Sequence, residues 1–186
     1  MTKFILHGGG TSKKVKENNL FWKELFRDAP GHVTYLGVYF ARNKDAWQKT
    51  FERYNNCIRQ LNLTKKINFV LANDDTSTLI EQIENSDVIF FSGGESYIDP
   101  FFEGIDLKDL LDEKTITGSS MGTYFLSTYY YRNSTNEIRE GSGLLPIKVT
   151  CHYNDERRDA VSKLNDYKEC LDVHTLRDEQ VIVLYN

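Results

Sequence analysis

Short runs of β-forming residues alternate with amphipathic segments along the whole chain, and this alternation is the feature that most constrains the fold. The runs that predict strands are residues 3–6, 33–41, 67–71, 88–91, 115–117 and 144–149, a stretch near 173, and 181–184. The segments with helical spacing of apolar residues are 17–27, 46–61, 76–83, 106–111, 122–131 and 156–164. This order predicts an α/β fold, a three-layer α/β/α sandwich with helices on both faces of a mostly parallel sheet.

Length and composition indicate one globular unit. The chain has 186 residues, 40% of them hydrophobic and 27% charged, so we expect residues 1–186 to fold as a single domain. With 23 basic and 27 acidic residues, the net charge of −4 gives no footprint for nucleic acid or a membrane surface. The N-terminal segment lacks the pattern of a signal peptide, and the three cysteines form no C-x-x-C pair. We therefore expect a cytoplasmic protein without a disulfide framework or a zinc site.

Three glycine-containing turns follow predicted strands. They are HGGG at residues 7–10, SGG at 92–94 and GSSMG at 118–122. In open α/β sheets, ligands bind beyond the carboxyl ends of the strands. We therefore expect these turns to meet at one edge of the sheet and to border the functional site.

The turn at residues 118–122 has the pattern G-x-S-x-G, with Ser120 at its centre. Between a strand and a helix, this pattern is typical of a nucleophile elbow, in which a tight turn exposes a strained serine and the glycines avoid side-chain clashes. The same residues also fit an ordinary turn in which Ser119 or Ser120 caps the following helix. The pattern favours Ser120 as a nucleophile without excluding that structural role.

A serine nucleophile needs a base, and the chain offers four histidines. His152 follows the run at 144–151, which places it at the same edge of the sheet as Ser120, although a loop histidine would have the same position. His7 closes the first strand and either lines the site or packs against its glycine turn. His32 is expected at the surface, and His174 within a late strand. The predicted position in the fold therefore favours His152 as the base.

Three segments in a fixed order resemble the peptidase E (aspartyl dipeptidase) family. They are FFSGGES at 90–96, ITGSSMG at 116–122, and GLLPI at 143–147 followed by CHYN at 151–154. Members of that family are serine peptidases with a class I glutamine amidotransferase-like (flavodoxin-like) fold, and the resemblance extends over nearly the whole chain. It implies Ser120 as nucleophile, His152 as general base and the backbone amides of Gly94 and Met121 as the oxyanion hole. It implies no metal and no cofactor.

The resemblance leaves the acid of the triad open. In the dipeptidase branch the acid lies between the serine and the histidine, which favours Glu137 and makes Glu140 the nearby alternative. In the related cyanophycinase-like branch the acid follows the histidine, which would select Glu179. Each of these glutamates also fits a solvated charge on a loop. We expect Glu137.

Two positions depart from the family pattern. Met121 occupies a place in the elbow where a small residue is usual, and its longer side chain is expected to narrow the pocket or alter what fits. Glu95 follows the glycine pair where Asn or Asp is commoner. Recognition of an N-terminal aspartate would require a cation near the site, and Arg132 and Arg139 are candidates by position.

The favoured function is a serine hydrolase, namely a small exo- or dipeptidase acting on a short peptide or another small molecule. An esterase of the α/β-hydrolase type is the second hypothesis, but its HGGG motif follows the first strand here and the chain is short for that fold. Glutaminase chemistry is disfavoured because the elbow holds a serine rather than a cysteine. A non-catalytic binding or regulatory domain is the alternative class. A separation between Ser120 and His152 too large even for a bridging water would favour it.

Four tyrosines, at positions 124 and 129–131, look exposed in the sequence. They are compatible with either a homodimer interface or a pocket wall.

Overall fold

The computed structural model describes residues 1–186 and contains ten strands in two sheets. The first sheet is formed by β1 (Lys3–His7), β2 (His32–Val38), β3 (Lys66–Leu71), β4 (Val88–Phe91), β5 (Thr115–Ser119) and β10 (Val181–Tyr185). Their spatial order is β10-β1-β5-β4-β2-β3, and every neighbouring pair is parallel except β10 with β1. The carboxyl ends of β1, β4 and β5 therefore lie at one edge, where the three glycine turns begin.

Helices cover both faces of this sheet. They are α1 (Lys16–Leu25), α2 (Trp47–Arg59), α3 (Thr76–Glu84), α4 (Leu107–Leu110), α5 (Met121–Leu126) and α6 (Arg158–Asn165). Successive side chains of a strand point to opposite faces of the sheet. The last two residues of β4, Phe90 and Phe91, therefore contact helices on opposite sides. The ring of Phe90 packs against Trp22 of α1 at 5.3 Å between centroids. The ring of Phe91 packs against Phe125 of α5 at 5.1 Å. The predicted three-layer α/β class is confirmed.

A second, smaller sheet was not evident from the sequence pattern. It consists of β6 (Ser127–Arg132), β7 (Glu137–Glu140), β8 (Leu145–Cys151) and β9 (Asp172–Leu176), in the order β7-β6-β8-β9. β8 runs parallel to both β6 and β9, whereas β7 is antiparallel to β6. One continuous hydrophobic cluster contains residues of both sheets, among them Phe91 and Val149. Shared burial of apolar surface therefore fixes the second sheet against the first.

The helix predicted over residues 122–131 was wrong in its second half. The helix ends at Leu126, and Ser127–Arg132 form β6. The sequence Ser-Thr-Tyr-Tyr-Tyr-Arg is rich in residues that favour strands once a partner is present, and β7 and β8 supply the partners. The strand β7 was missed because Glu-Ile-Arg-Glu is too polar to stand out as an apolar run.

The four tyrosines that look exposed in the sequence are buried inside the chain. Tyr124, Tyr129, Tyr130 and Tyr131 all belong to its interior, and the rings of Tyr124 and Tyr130 stack at 4.6 Å. They consequently offer no surface for a homodimer. None of the helices combines the length and the apolarity that crossing a lipid bilayer demands.

Candidate active site

Ser120 lies at the carboxyl end of β5, in the sharp turn that leads into α5. Its backbone has φ 51° and ψ −109°, a conformation that a residue with a side chain rarely adopts and that costs of order 1–3 kcal/mol. Its amide donates to the carbonyl of His7 at 3.0 Å, and this bond fixes the turn to β1. Gly122 packs so closely on β4 that a Cβ there would lie 1.9 Å from the carbonyl oxygen of Phe91. Ser120 thus occupies a strained strand-to-helix turn that packs closely on β4.

His152 immediately follows β8 of the second sheet and reaches the serine. Its Nε2 lies 2.8 Å from the Ser120 Oγ. Its backbone has φ 53°, and its amide donates to the carbonyl of Gly8 at 3.1 Å. The ring lies against Gly9, where a Cβ would come within 2.1 Å of the His152 Cε1. The glycine turn after β1 therefore packs directly against the imidazole of His152.

Asp178, in the connection between β9 and β10, completes the hydrogen-bond chain. Its Oδ1 lies 2.6 Å from the His152 Nδ1, and its Oδ2 lies 3.1 Å from the Lys13 Nζ. Partial burial raises the pKa of Asp178, but the hydrogen bonds from His152 and Lys13 outweigh it and hold the pKa below its usual value of 3.8. An ionised carboxylate there favours the tautomer with a proton on Nδ1, which leaves Nε2 free to accept the proton of Ser120.

None of the three glutamates considered as the acid contacts the ring of His152. Glu137, the expected acid, is exposed on β7 and pairs with Arg139 at 2.9 Å. Glu140 pairs with Lys168 at 2.5 Å. Glu179 pairs with Lys13 at 2.6 Å, and its amide donates to the carbonyl of Gly9. The expectation for Glu137 is replaced by Asp178, because β7 and β9 lie at opposite edges of the second sheet and the carboxylate that reaches the ring follows β9.

Backbone amides suited to an oxyanion lie next to Ser120. Gly93 and Gly94 follow β4, and neither of their amides donates to an acceptor within the protein. A Cβ on Gly93 would lie 3.0 Å from the Ser120 Cβ, so this glycine pair borders the nucleophile directly. Met121 is the first residue of α5, and its side chain is buried in the core rather than lining the cleft. The pocket narrowing expected from Met121 is therefore not observed.

Ser120 and His152 face a cleft of about 460 Å³. Its walls come from the turn at 9–12, the residues after β2 at 41–43, and the segment 93–96. Arg42 and Glu95 are the charged side chains of these walls besides His152. Arg132 and Arg139, the candidates by position, lie outside the cleft lining. Sequence reasoning missed Arg42 because its place beside Ser120 depends on how β2 lies relative to β4 and β5.

His7 lies outside the cleft lining and stabilises the glycine turn that packs against His152. It is fully buried, its Nδ1 accepts the amide hydrogen of Gly9 at 3.0 Å, and its Nε2 lies 2.9 Å from the Asn18 Oδ1. The Asn18 amide group in turn donates to the carbonyls of Gly10 and Lys13. Burial lowers the pKa of His7 to about 4, so the ring is neutral at pH 7. Of the two expectations for His7, packing against the glycine turn is confirmed.

The other two histidines lie outside the cleft lining, His32 exposed at the start of β2 and His174 within β9. No group of three or more His, Cys, Asp or Glu side chains is placed to hold a metal ion.

Comparison with known proteins gives matches in structure but not in sequence. No protein-family model matches the chain, and no curated protein matches it. The crystal structure of a peptidase from an acI-B1 Actinobacterium is similar with a TM-score of 0.72 and 20% identity, over 99% of this chain and 83% of that one. The crystal structure of a candidate peptidase E protein from Listeria monocytogenes EGD-e is similar with a TM-score of 0.64 and 12% identity, over 99% and 94%. The chain thus has the flavodoxin-like α/β fold of these two proteins.

Proposed function

We propose that this protein is a serine-type peptidase in which Ser120, His152 and Asp178 form the catalytic triad. The observation that carries the proposal is the continuous hydrogen-bond chain from the Ser120 Oγ through His152 to Asp178, with links of 2.8 and 2.6 Å. A separation between Ser120 and His152 too large for a bridging water would have favoured the alternative of a non-catalytic binding domain, whereas the distance is 2.8 Å. The names of the two structural neighbours, both described as peptidases, support the choice of an amide substrate.

The proposed first half-reaction is acylation of the serine. The Ser120 Oγ attacks the carbonyl carbon of a peptide bond while its proton moves to the His152 Nε2, and Asp178 stabilises the imidazolium that forms. Backbone amides of Gly94 and Met121 are assigned to the oxyanion, with the Gly93 amide adjacent. One such donor typically contributes about 3–4 kcal/mol to transition-state stabilisation. The carbon–nitrogen bond then breaks, and the leaving amine takes the proton from His152.

The second half-reaction returns the enzyme to its starting state. Water attacks the acyl-enzyme, gives a proton to the His152 Nε2, and forms a new bond from its oxygen to the carbonyl carbon. The bond from that carbon to the Ser120 Oγ breaks, and the serine recovers a proton from His152. The products are an amine and a carboxylic acid.

The size of the cleft supports a short substrate. Its volume of about 460 Å³ lies in the range of small-molecule sites, roughly 300–1,000 Å³. A dipeptide or the end of a short peptide fits such a space, whereas an extended chain would need an open groove on both sides of Ser120. We therefore propose an exo- or dipeptidase.

A neutral fluorophosphonate probe tests whether Ser120 is activated. We expect intact mass to show one adduct, peptide mapping to place it on Ser120, and Ser120→Ala to abolish it. His152→Ala should slow labelling by about a thousandfold or more, because the serine then lacks its base. His32→Ala is the matched control, since His32 is exposed and lies outside the cleft lining, and it should label at the wild-type rate. A folded protein that forms no adduct, or an adduct at another residue, would refute the proposal.

Hydrolysis products distinguish the class of acyl substrate. Incubation with a set of dipeptides, followed by mass spectrometry, should show release of free amino acids that depends on Ser120. If only small esters were cleaved, the enzyme would be an esterase rather than a peptidase.

A further inference from the structure

Arg42 is the cation of the cleft lining, and its guanidinium has no partner in the protein. Its Nε is buried without a hydrogen-bond acceptor, and no carboxylate lies within ion-pair distance of its nitrogens. The backbone around it is well fixed, since the Arg42 amide donates to the carbonyl of Tyr39 and its carbonyl accepts from the Trp47 Nε1. A buried donor without an acceptor costs free energy, so this arrangement calls for a function.

The side chain of Arg42 runs along the glycine pair that also borders Ser120. A Cβ placed on Gly94 would lie 3.0 Å from the Arg42 Cγ, and a Cβ placed on Gly93 would lie 3.0 Å from the Ser120 Cβ. Arg42 and the nucleophile therefore flank the same two residues, and both line the same cleft. A substrate of Ser120 would therefore occupy the cleft that Arg42 also lines.

The acidic groups around the cleft are already matched with other cations. The carboxylate of Glu95 lies 3.3 Å from Arg132, and Lys13 pairs with both Asp178 and Glu179. Glu95 is the one acid of the cleft lining, so no unpaired acid of that lining is left to balance Arg42. The missing anion must therefore come from a ligand, and a planar guanidinium is suited to two parallel hydrogen bonds with a carboxylate.

We infer that Arg42 is a specificity-determining residue that binds a carboxylate of the substrate beside Ser120. The inference deepens the proposed function and rests on it for the identity of the substrate as a peptide. A peptide carries carboxylates of two kinds, an acidic side chain and the C-terminal group. The chemistry of recognition is the same for both, and the experiment separates them.

Binding is best measured in the Ser120→Ala background, because no peptide is then consumed. Isothermal titration compares two pairs of dipeptides, Asp-Leu with Asn-Leu and Ala-Leu with Ala-Leu-amide. We expect the carboxylate member of one pair to bind about tenfold more tightly than its amide partner, and the pair identifies which carboxylate is bound. Adding Arg42→Met should bring this ratio to within about twofold, whereas Arg42→Lys should keep part of it because the charge remains. Arg139→Met removes a cation outside the cleft and should leave the ratio unchanged.

Three results would overturn the inference. They are equal binding within both pairs, a preference that survives Arg42→Met, and no measurable binding of any of the four dipeptides. If Arg42 acted only on the oxyanion of the transition state, the dissociation constants would not depend on it, and either the first or the second of these results would be seen. Fluorophosphonate labelling of the wild-type protein tests the serine mechanism separately, so failure there is distinguishable from failure of the carboxylate site.

Discussion

At the scale of single residues, the candidate site concentrates backbone strain where the hydrogen-bond chain is assembled. Ser120, His152 and Glu179 have φ values of 51°, 53° and 62°, in the region that favours glycine. Such conformations persist when the surroundings over-determine them, and they cluster at functional sites. Here the surroundings are three backbone hydrogen bonds, from Ser120 to His7, from His152 to Gly8 and from Glu179 to Gly9. All three strained residues therefore donate their backbone amides to carbonyls of β1 or of the turn that follows it.

His7 is predicted to make the fold sensitive to acid. Its pKa is lowered from 6.5 to about 4 in the folded state because burial disfavours the charged ring. Between those two pH values the unfolded chain binds a proton that the folded chain does not, so stability rises with pH in this window and is lost as the pH falls. A difference of this size corresponds to about 3 kcal/mol in the free energy of unfolding.

Urea unfolding at a series of pH values between 4 and 7 checks this prediction. The wild-type protein should lose stability towards pH 4, and His7→Gln should lose about 3 kcal/mol less over the same interval, because Gln does not titrate. His32→Gln, at an exposed position, should retain the wild-type pH dependence. A His7→Gln profile parallel to that of the wild type would show that His7 is not buried in the neutral form.

At the scale of elements, the turn at residues 8–10 fixes the backbone of two segments that are distant from it in sequence. It joins β1 to the segment before α1, and it accepts the backbone hydrogen bonds that fix His152 and Glu179. Asn18 of α1 closes the turn from the other side through the carbonyl of Gly10. The turn was considered as an esterase motif from its HGGG sequence, whereas its observed contacts are those of a support for the histidine and the acid.

Gly9→Ala tests this supporting role. The added Cβ would lie 2.1 Å from the His152 Cε1, and the φ of 133° at this position also opposes a side chain. The ring must shift, and misplacement of a catalytic group by about 1 Å typically lowers the rate about a hundredfold. We expect the rate of fluorophosphonate labelling to fall by at least that factor. Gly31→Ala is the matched control, because a Cβ there meets nothing within 4 Å. Equal labelling rates for the two variants would contradict the proposed role.

The parts of the site predictable from sequence were those with local signals. Ser120 is marked by glycines on both sides between a strand and a helix, and His152 by its place at the end of an apolar run. Asp178 lacks such a signal, because it lies between Arg177 and Glu179 in a charged turn where any residue could be solvated. The expectation came within one residue at Glu179 but favoured Glu137 on the order of residues in the dipeptidase branch. Only the tertiary structure shows which carboxylate reaches the ring.

The same reasoning explains the errors in the fold. The alternation of strands and helices specified the parallel first sheet, since each buried strand is a distinct apolar run. The boundary at Leu126 was missed because the tyrosines extend the apolar pattern of the preceding helix, and their preference for a strand takes effect only through pairing with β7 and β8. The position of Arg42 likewise depends on contacts that are distant in sequence.

At the scale of the whole molecule, the proposed triad is assembled from both sheets. Ser120 follows β5 of the first sheet, His152 follows β8 of the second, and Asp178 lies in the connection that leads from β9 back to β10. The geometry therefore requires that the two sheets keep their relative position, which their shared hydrophobic core maintains. In the proposed triad, the base His152 follows a strand of the second sheet, and the acid Asp178 follows β9 of the same sheet.

The most direct test of this account is the rate of fluorophosphonate labelling in Asp178→Asn beside Glu137→Gln. Both substitutions replace a carboxylate by an amide of similar size, but only Asp178 contacts His152. We predict that Asp178→Asn labels about 10³–10⁴ times more slowly than the wild type, because the amide no longer holds the required tautomer or stabilises the imidazolium. Glu137→Gln should label within twofold of the wild type. The reverse order, or equal rates in the two variants, would contradict the triad of Ser120, His152 and Asp178.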